Sequence, residues 1–449
     1  MIKEILLYLL VSANIINITH LGLFMVGANI YDIRNFRAKN KMVVKGRRKP
    51  LISIIVPAHN ESVVITRTLD SIRASTYTKF EIIVVDDGST DDTAKVVRKY
   101  IKRAPQFKVE TYMARYHRSS QLTRRYVRAE LAKTRITLIT QNNGGKASAM
   151  NNAIKNHARG KLIMCLDADS ILHPSAIERA VKYFDDPKII GVAANVRVME
   201  SKTLIGTLQR FEHMIGYRSK KFYTLTNSEF IVGGVASTYR TQAVKQVGFY
   251  DTDTMTEDIG LSMKLVAEKG NRDHRIVYAA DVIAMTEGVQ TFKALMRQRY
   301  RWKMGSLQNL LKYSYLVANS DESKYSHMLA FYRLPMAFVS ELLLMLEPVI
   351  LGYVIYLSFM YHTPWILLGA YITITLYVLW TLWPDEYLTN RQKVKMSFQA
   401  LEIYLLFYAM DIVQMNAIFR CVIQYKKIIK RTTEQTWVSP ARSGQPVKA

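Results

Sequence analysis

The sequence predicts an α/β domain flanked by transmembrane helices. Short apolar, β-rich runs at 51–56, 80–85 and 161–166 alternate with helical patterns, as buried parallel strands with crossover helices do. Long apolar stretches lie outside that region, at 5–30 (free of formal charge), 337–360, 365–383 and 397–421. At roughly 1.5 Å per residue, each can cross a hydrocarbon core of about 30 Å. The resulting division is an N-terminal anchor at 1–33, a cytosolic α/β domain at 50–285, interfacial amphipathic helices at 286–318, a C-terminal transmembrane region at 327–423 and a disordered tail at 431–449.

Along the α/β domain, Leu51–Val56 is a strand halted by Pro57, followed by a helical pattern from about Ser62 to Ala74. Phe80–Val85 is a second strand, halted by Asp86-Asp87-Gly88-Ser89, and a helix from about Asp91 to Lys102 follows. The run 161–166 ends in Asp167-Ala168-Asp169. Ligands on open α/β sheets bind at the carboxyl ends of the strands, where these polar residues fall.

The apolar stretch at 5–30 is too long for a cleaved signal peptide and reads as a retained anchor. Arg34, Arg37, Lys39, Lys41, Lys45, Arg47, Arg48 and Lys49 follow it. The positive-inside rule places that side, and with it the α/β domain, in the cytoplasm of a multi-pass plasma-membrane protein. Three C-terminal crossings would then put Lys426, Lys427, Lys430 and Arg431 outside, against the same rule. Either one segment is interfacial or re-entrant, or the rule is broken. Glu341, Glu347, Glu402 and Asp411 lie within these segments, where acids face protein or water; a polar pathway and a structural role are both open.

At 449 residues the chain exceeds one ordinary domain, and its net charge is +26. Such charge suits nucleic acid, anionic lipid or a nucleotide diphosphate. The membrane segments favour the last two, and no nucleic-acid partner is expected. Only Cys165 and Cys421 occur, which excludes a disulfide framework and a cysteine-based zinc site. Residues 104–135 carry Arg115, His117, Arg118, Arg124, Arg125, Arg128, Lys133 and Arg135, either a solvated face or a surface for anionic lipid.

Six motifs follow in order: Asp86-Asp87, Asn143-Gly144-Gly145-Lys146, Asp167-Ala168-Asp169, Gly233-Gly234, Thr256-Glu257-Asp258 and Gln298-Arg299-Tyr300-Arg301-Trp302. Asp87 before Gly88-Ser89 also suits a turn, and the glycines before Lys146 also suit a capped helix start. Paired acids can hold a hard cation, and a carboxylate near an acceptor hydroxyl can take its proton. Gln298, Arg301 and Trp302 stand at i, i+3 and i+4 and share one helix face.

Residues 50–315 resemble the membrane-integrated family 2 glycosyltransferases, the cellulose, chitin, hyaluronan and poly-N-acetylglucosamine synthases, with the run from Gly233 to Ile259 closest to the last of these. The resemblance implies a GT-A type nucleotide-diphospho-sugar transferase fold and inverting, processive transfer from a UDP-sugar, N-acetylglucosamine first, to a growing β-linked polysaccharide that crosses the membrane. It implies Asp258 as general base, and Asp87, Glu61, Lys146, Asp167 and Arg301 at the donor. Asp169 would hold Mg2+ or Mn2+, and Gly233, Gly234, Glu257, Gln298 and Trp302 would line the acceptor site. Membrane lipids and a small accessory membrane subunit are further partners. A non-processive transferase making a glycolipid and a hyaluronan-type synthase using two donors are the alternatives.

Overall fold

The computed structural model describes residues 2–41, 49–103 and 134–431. Lys45, Arg47, Arg48, most of the basic 104–135 stretch and the tail from 432 lie outside the described residues. The chain opens with α1 (Ile2–Lys41), then β1 (Ile52–Ala58), α2 (Ile65–Arg73), β2 (Phe80–Asp87), α3 (Thr93–Arg103), β3 (Ile136–Gln141), α4 (Lys146–Asn156), β4 (Leu162–Cys165) and β5 (Ile171–Leu172). It continues through α5 (Ala176–Tyr183), β6 (Ile189–Val198), α6 (Leu204–Leu225), β7 (Ser237–Arg240), α7 (Thr241–Gln246), α8 (Glu257–Lys269) and β8 (Arg275–Thr286). The C-terminal helices are α9 (Phe292–Lys312), α10 (Leu334–Met360), α11 (Trp365–Leu382), α12 (Asn390–Ile423) and α13 (Tyr425–Ile429).

The strands form one sheet of eight in the order β3-β2-β1-β4-β7-β6-β8-β5. Strands β3, β2, β1 and β4 are parallel, in a register pairing Ile54 with Ile82 and Ile55 with Cys165. Alternate residues face opposite sides: Ile52, Ile54 and Val56 meet Leu69 and Ile72 of α2 in one core, while Ile55, Ile83 and Val85 meet Met150 and Ile154 of α4 in the other. Both faces being covered explains why these runs lack polar alternation. Pro57 does not halt β1. Its pairing with β4 has ended at Ile55, so on that side Pro57 breaks no ladder.

The second half of the sheet is mixed. Strand β7 runs antiparallel to β4, with Ser237 opposite Cys165. The segment before β7 therefore enters at the edge where β4 ends, bringing Gly233-Gly234 toward Asp167.

Four helical segments are long and apolar enough to cross a membrane: Val11–Asn35, Met328–Met360, Trp365–Leu382 and Leu406–Ile423. Helix α1 docks on α6, where a Cβ on Gly27 would stand 2.5 Å from the Phe222 ring. Tyr31 Oη donates to the Tyr278 carbonyl at 2.8 Å, and Lys221 pairs with Asp32 at 2.7 Å. The apolar segment of α10 begins earlier than the sequence pattern at 337, because Met328–Arg333 adds a π-helical turn. Arg333 is held there over the rings of Tyr223 (3.9 Å) and Phe230 (4.6 Å).

Helix α12, 34 residues long, is capped by a Thr389–Gln392 capping box. Near its start Arg197 pairs with Asp385 at 2.6 Å and Lys395 with Glu200 at 2.7 Å. Just past its end Tyr300 Oη donates to Gln424 Oε1 at 2.7 Å and Arg431 pairs with Asp253 at 3.0 Å. Between these points Met410 and Val413 pack on Leu208 and Leu295, and Cys421 packs on Met304.

Candidate active site

The site forms where β1, β2, β3 and β4 end. His59 Nδ1 donates to the Asp87 carbonyl at 2.9 Å, and Asn60, at φ 56°, accepts the Thr90 N–H on its side chain at 2.8 Å. These bonds join the turn after β1 to the turn after β2. Glu61 is buried there, its N–H donating to Thr93 Oγ1 at 2.9 Å. Asp87 is buried too, and its carboxylate faces the loop before α4. Oδ1 accepts from Gln141 Nε2 at 2.7 Å and from Gly144 N–H at 3.0 Å, and Oδ2 accepts from Gly145 N–H at 2.9 Å. Gly145, at φ +85°, has the backbone that lets this loop turn into α4.

That turn delivers Lys146 to the acids. Its Nζ lies 2.6 Å from Asp167 Oδ1 and 3.3 Å from Glu257 Oε1. A Cβ built on Gly234 would stand 3.1 Å from the same Nζ and 3.3 Å from Asp258 Oδ2. Lys146, Asp167, Gly234, Glu257 and Asp258, from four separate stretches of sequence, are thus one cluster. Gly233 faces open space. Burial alone would lower the Lys146 pKa, but Asp167, Glu257 and Asp258 outweigh it and hold the ammonium well above its usual range. The Asp258 pKa rises as well, which for a carboxyl disfavours the charged form: burial and then the Glu257 charge push it up to about 6, against the pull of Lys146.

Asp169 is buried, with Oδ1 accepting from Ser170 Oγ at 3.0 Å. Its turn is pinned from α2, where Thr68 Oγ1 donates to the Ala168 carbonyl at 2.6 Å and Arg67 donates to the Asp169 carbonyl at 3.2 Å and to Glu287 at 2.8 Å. Among the described residues no cluster of three or more His, Cys, Asp or Glu is arranged to hold an ion. A hard cation here would therefore draw most ligands from phosphate and water, the habit of Mg2+ sites. The single buried carboxylate of Asp169 fits such a half-site.

Helix α9 closes the cluster. A Cβ on Gly305 would lie 2.4 Å from Thr256 Oγ1, so α9 lies directly against the residue preceding Glu257. Asn309 Nδ2 donates to the Thr256 carbonyl at 3.1 Å, and Gln308 Oε1 accepts the Met255 N–H at 2.9 Å. Arg299, not singled out from sequence, is the buried member of its motif: it pairs with Glu212 at 2.6 Å and lies 4.4 Å from the Trp302 ring centroid. Arg301, two positions on and so on another side of the helix, is exposed. Gln298 Oε1 is buried with no hydrogen-bond partner among the described residues.

Residues 53–112 match the family model described as "Glycosyl transferase family 2", and residues 105–305 match "Glycosyltransferase like family 2". The α/β domain is of the family 2 glycosyltransferase kind. Two curated relatives are named poly-beta-1,6-N-acetyl-D-glucosamine synthase. That of Staphylococcus aureus (strain COL) is 33% identical over 264 residues, 58% of this chain and 56% of the relative. That of Staphylococcus epidermidis is 29% identical over 295 residues, 64% of this chain and 63% of the relative. The chain thus matches a little over half the length of these relatives. The mannosyltransferase PcManGT from Pyrobaculum calidifontis, solved with GDP-Man and Mn2+, shares the GT-A-like fold at a TM-score of 0.54 and 18% identity, over 92% of this chain and 99% of that one.

Proposed function

We propose that this chain transfers N-acetylglucosamine from UDP-N-acetylglucosamine, with inversion, to the end of a growing β-linked saccharide, and passes the product into the membrane processively. The observation that carries this reading is the convergence of Lys146, Asp167, Glu257 and Asp258 beside Gly234 at the carboxyl edge of the sheet. The sugar is supported by the shared name of both relatives. Passage toward the membrane is supported by polar pairs where α6, α9 and α10 meet, Arg299–Glu212 at 2.6 Å and Lys303–Glu341 at 2.7 Å.

In this mechanism the Asp258 carboxylate takes the proton of the acceptor hydroxyl as its oxygen attacks the anomeric carbon. The bond from that carbon to the diphosphate oxygen breaks, and UDP leaves with the electron pair from the opposite face. Lys146 and Arg301 hold the phosphates, Asp167 the donor sugar or ribose, and Glu61 and Asp87 build the base-binding end. Gly233, Gly234, Glu257, Gln298 and Trp302 shape the acceptor side, Gly234 by leaving room beside Asp258. A divalent cation on Asp169, Mg2+ or Mn2+, would offset the charge of the departing diphosphate.

The test supplies the detergent-solubilised full chain with Mg2+ or Mn2+ and a panel of labelled UDP-sugars. High-molecular-weight product from UDP-N-acetylglucosamine alone is the expected result. A single sugar on added lipid would move the assignment to glycolipid synthesis, and a need for UDP-glucuronate as well would indicate a two-donor polymer.

A further inference from the structure

Both carboxylate oxygens of Asp87 are engaged by protein, and one of the groups engaging them is held by others. Gln141 Nε2 donates to Asp87 at 2.7 Å, Asn152 Nδ2 donates to Gln141 Oε1 at 2.7 Å, and Asn156 Nδ2 donates to Asn152 Oδ1 at 2.8 Å. The polarity of this chain has one solution. An ionised carboxylate only accepts, so Gln141 must turn its NH2 toward Asp87, leaving its oxygen for the Asn152 NH2, and Asn152 likewise for Asn156. One buried charge thereby orients three amides in a row.

The relay spans the loop at 142–145 from both sides. Gln141 is the last residue of β3, while Asn152 and Asn156 stand one turn apart on α4, the helix that begins with Lys146. Between them, Gly144 and Gly145 donate their N–H groups to the same Asp87 carboxylate. The loop is also pressed on the β2 turn: a Cβ on Gly88, at φ +71°, would lie 2.7 Å from Asn143 N.

We propose that Gln141 and Asn152 are positioning residues of the donor site, acting through Asp87 on the loop that presents Lys146. The inference rests on the reading of this site as a sugar-nucleotide site. Gln141 fixes the Asp87 carboxylate, the carboxylate fixes Gly144 and Gly145, and that backbone aims Lys146 at the place of the diphosphate. Removing the Gln141 amide leaves the loop held by two donors to a carboxylate free to rotate, and Lys146 loses its aim. Lys146 meets the diphosphate in the bound donor, so the loss falls on donor affinity more than on turnover.

The experiment measures donor KM, kcat and UDP affinity for the full-length chain in detergent, as wild type, Gln141→Leu, Asn152→Leu, Lys146→Met and Gln141→Leu/Lys146→Met. Gln141→Leu is expected to raise donor KM and UDP Kd about tenfold, the worth of one hydrogen bond to a charged group, with kcat within about threefold on the same estimate. In the Lys146→Met background the same change is expected to add less than about twofold, because both act through one contact. Independent effects, or an unchanged KM and UDP Kd in Gln141→Leu, would overturn the proposal. Should Gln141→Leu fail to fold, Asn152→Leu, one step further from the charge, is measured in the same way and decides on the same outcomes. UDP binding decides the relay even if no transfer is seen from any UDP-sugar, an outcome that would instead overturn the proposed function.

Discussion

Asp258 has the surroundings of a base that works near neutrality. Burial and Glu257 push it up to about 6, so it is half protonated about two pH units higher than an ordinary aspartate. As a base it acts when deprotonated, so kcat/KM is expected to rise with pH through about 6 and level off above. Asp258→Asn is expected to lower kcat on the order of 100-fold or more while leaving donor KM close to wild type; undiminished transfer would remove the mechanism. Gly234→Ala tests the neighbouring space: its methyl would stand 3.1 Å from Lys146 Nζ and 3.3 Å from Asp258 Oδ2. About tenfold lower kcat/KM for the acceptor is expected, as modest misplacement at a reacting centre is costly. At this scale the motif carboxylates were legible because each follows an apolar strand or precedes a helical pattern. Arg67, Thr68, Gln141 and Arg299 were not, since each acts through a partner 54 to 102 residues away in sequence (Asp169, Ala168, Asp87 and Glu212, respectively).

Among the elements, α9 bears on Thr256 from outside the sheet, beside the proposed acceptor side. Gly305 is the point of closest approach, with Thr256 Oγ1 at 2.4 Å and Thr256 N at 2.7 Å from a built Cβ. Backbone cannot yield there, so Gly305→Ala is expected to push α9 away, at a cost of about 1–3 kcal/mol. A lower thermal midpoint together with a lower kcat would show it; an unchanged midpoint would mean that α9 shifts freely. Strands β1, β2 and β4 were readable because both faces are covered and the runs are continuous. Strand β3, Ile136–Gln141, is a partly exposed edge with threonines and a glutamine, and β7 is only Ser237–Arg240. Neither has enough apolar length to stand out. The antiparallel pairing of β7 is likewise set by partners and not by local pattern, which is why the sequence pattern suggests parallel strands alone.

For the whole molecule, the conflict over the basic C-terminal residues resolves if α12 lies along the membrane surface. Helix α12 contains 34 residues, about 50 Å at the usual rise, enough to carry its end beyond the far leaflet if it crossed. Yet Gln424 accepts from Tyr300 of α9, Gln308 of α9 donates to the Lys427 carbonyl at 3.2 Å, and Arg431 reaches Asp253. Helix α9 itself lies on Thr256 of the α/β domain. Both ends of α12 therefore stand on the side of that domain, and its outer face shows Phe398, Leu401, Ile412, Phe419 and Ile423, an apolar stripe suited to the headgroup boundary. With α12 on the surface, α1, α10 and α11 would be the crossings, and the basic residues from Lys426 to Arg431 would fall on the same side as those after α1, as the charge rule asks. In intact cells, an impermeant thiol reagent is expected to label His362→Cys, in the turn between α10 and α11, and to reach Lys430→Cys only after permeabilisation. The native Cys165 and Cys421 are buried and leave a low background. Labelling of Lys430→Cys from outside would make α12 a crossing helix and return the basic tail to the side that the charge rule forbids.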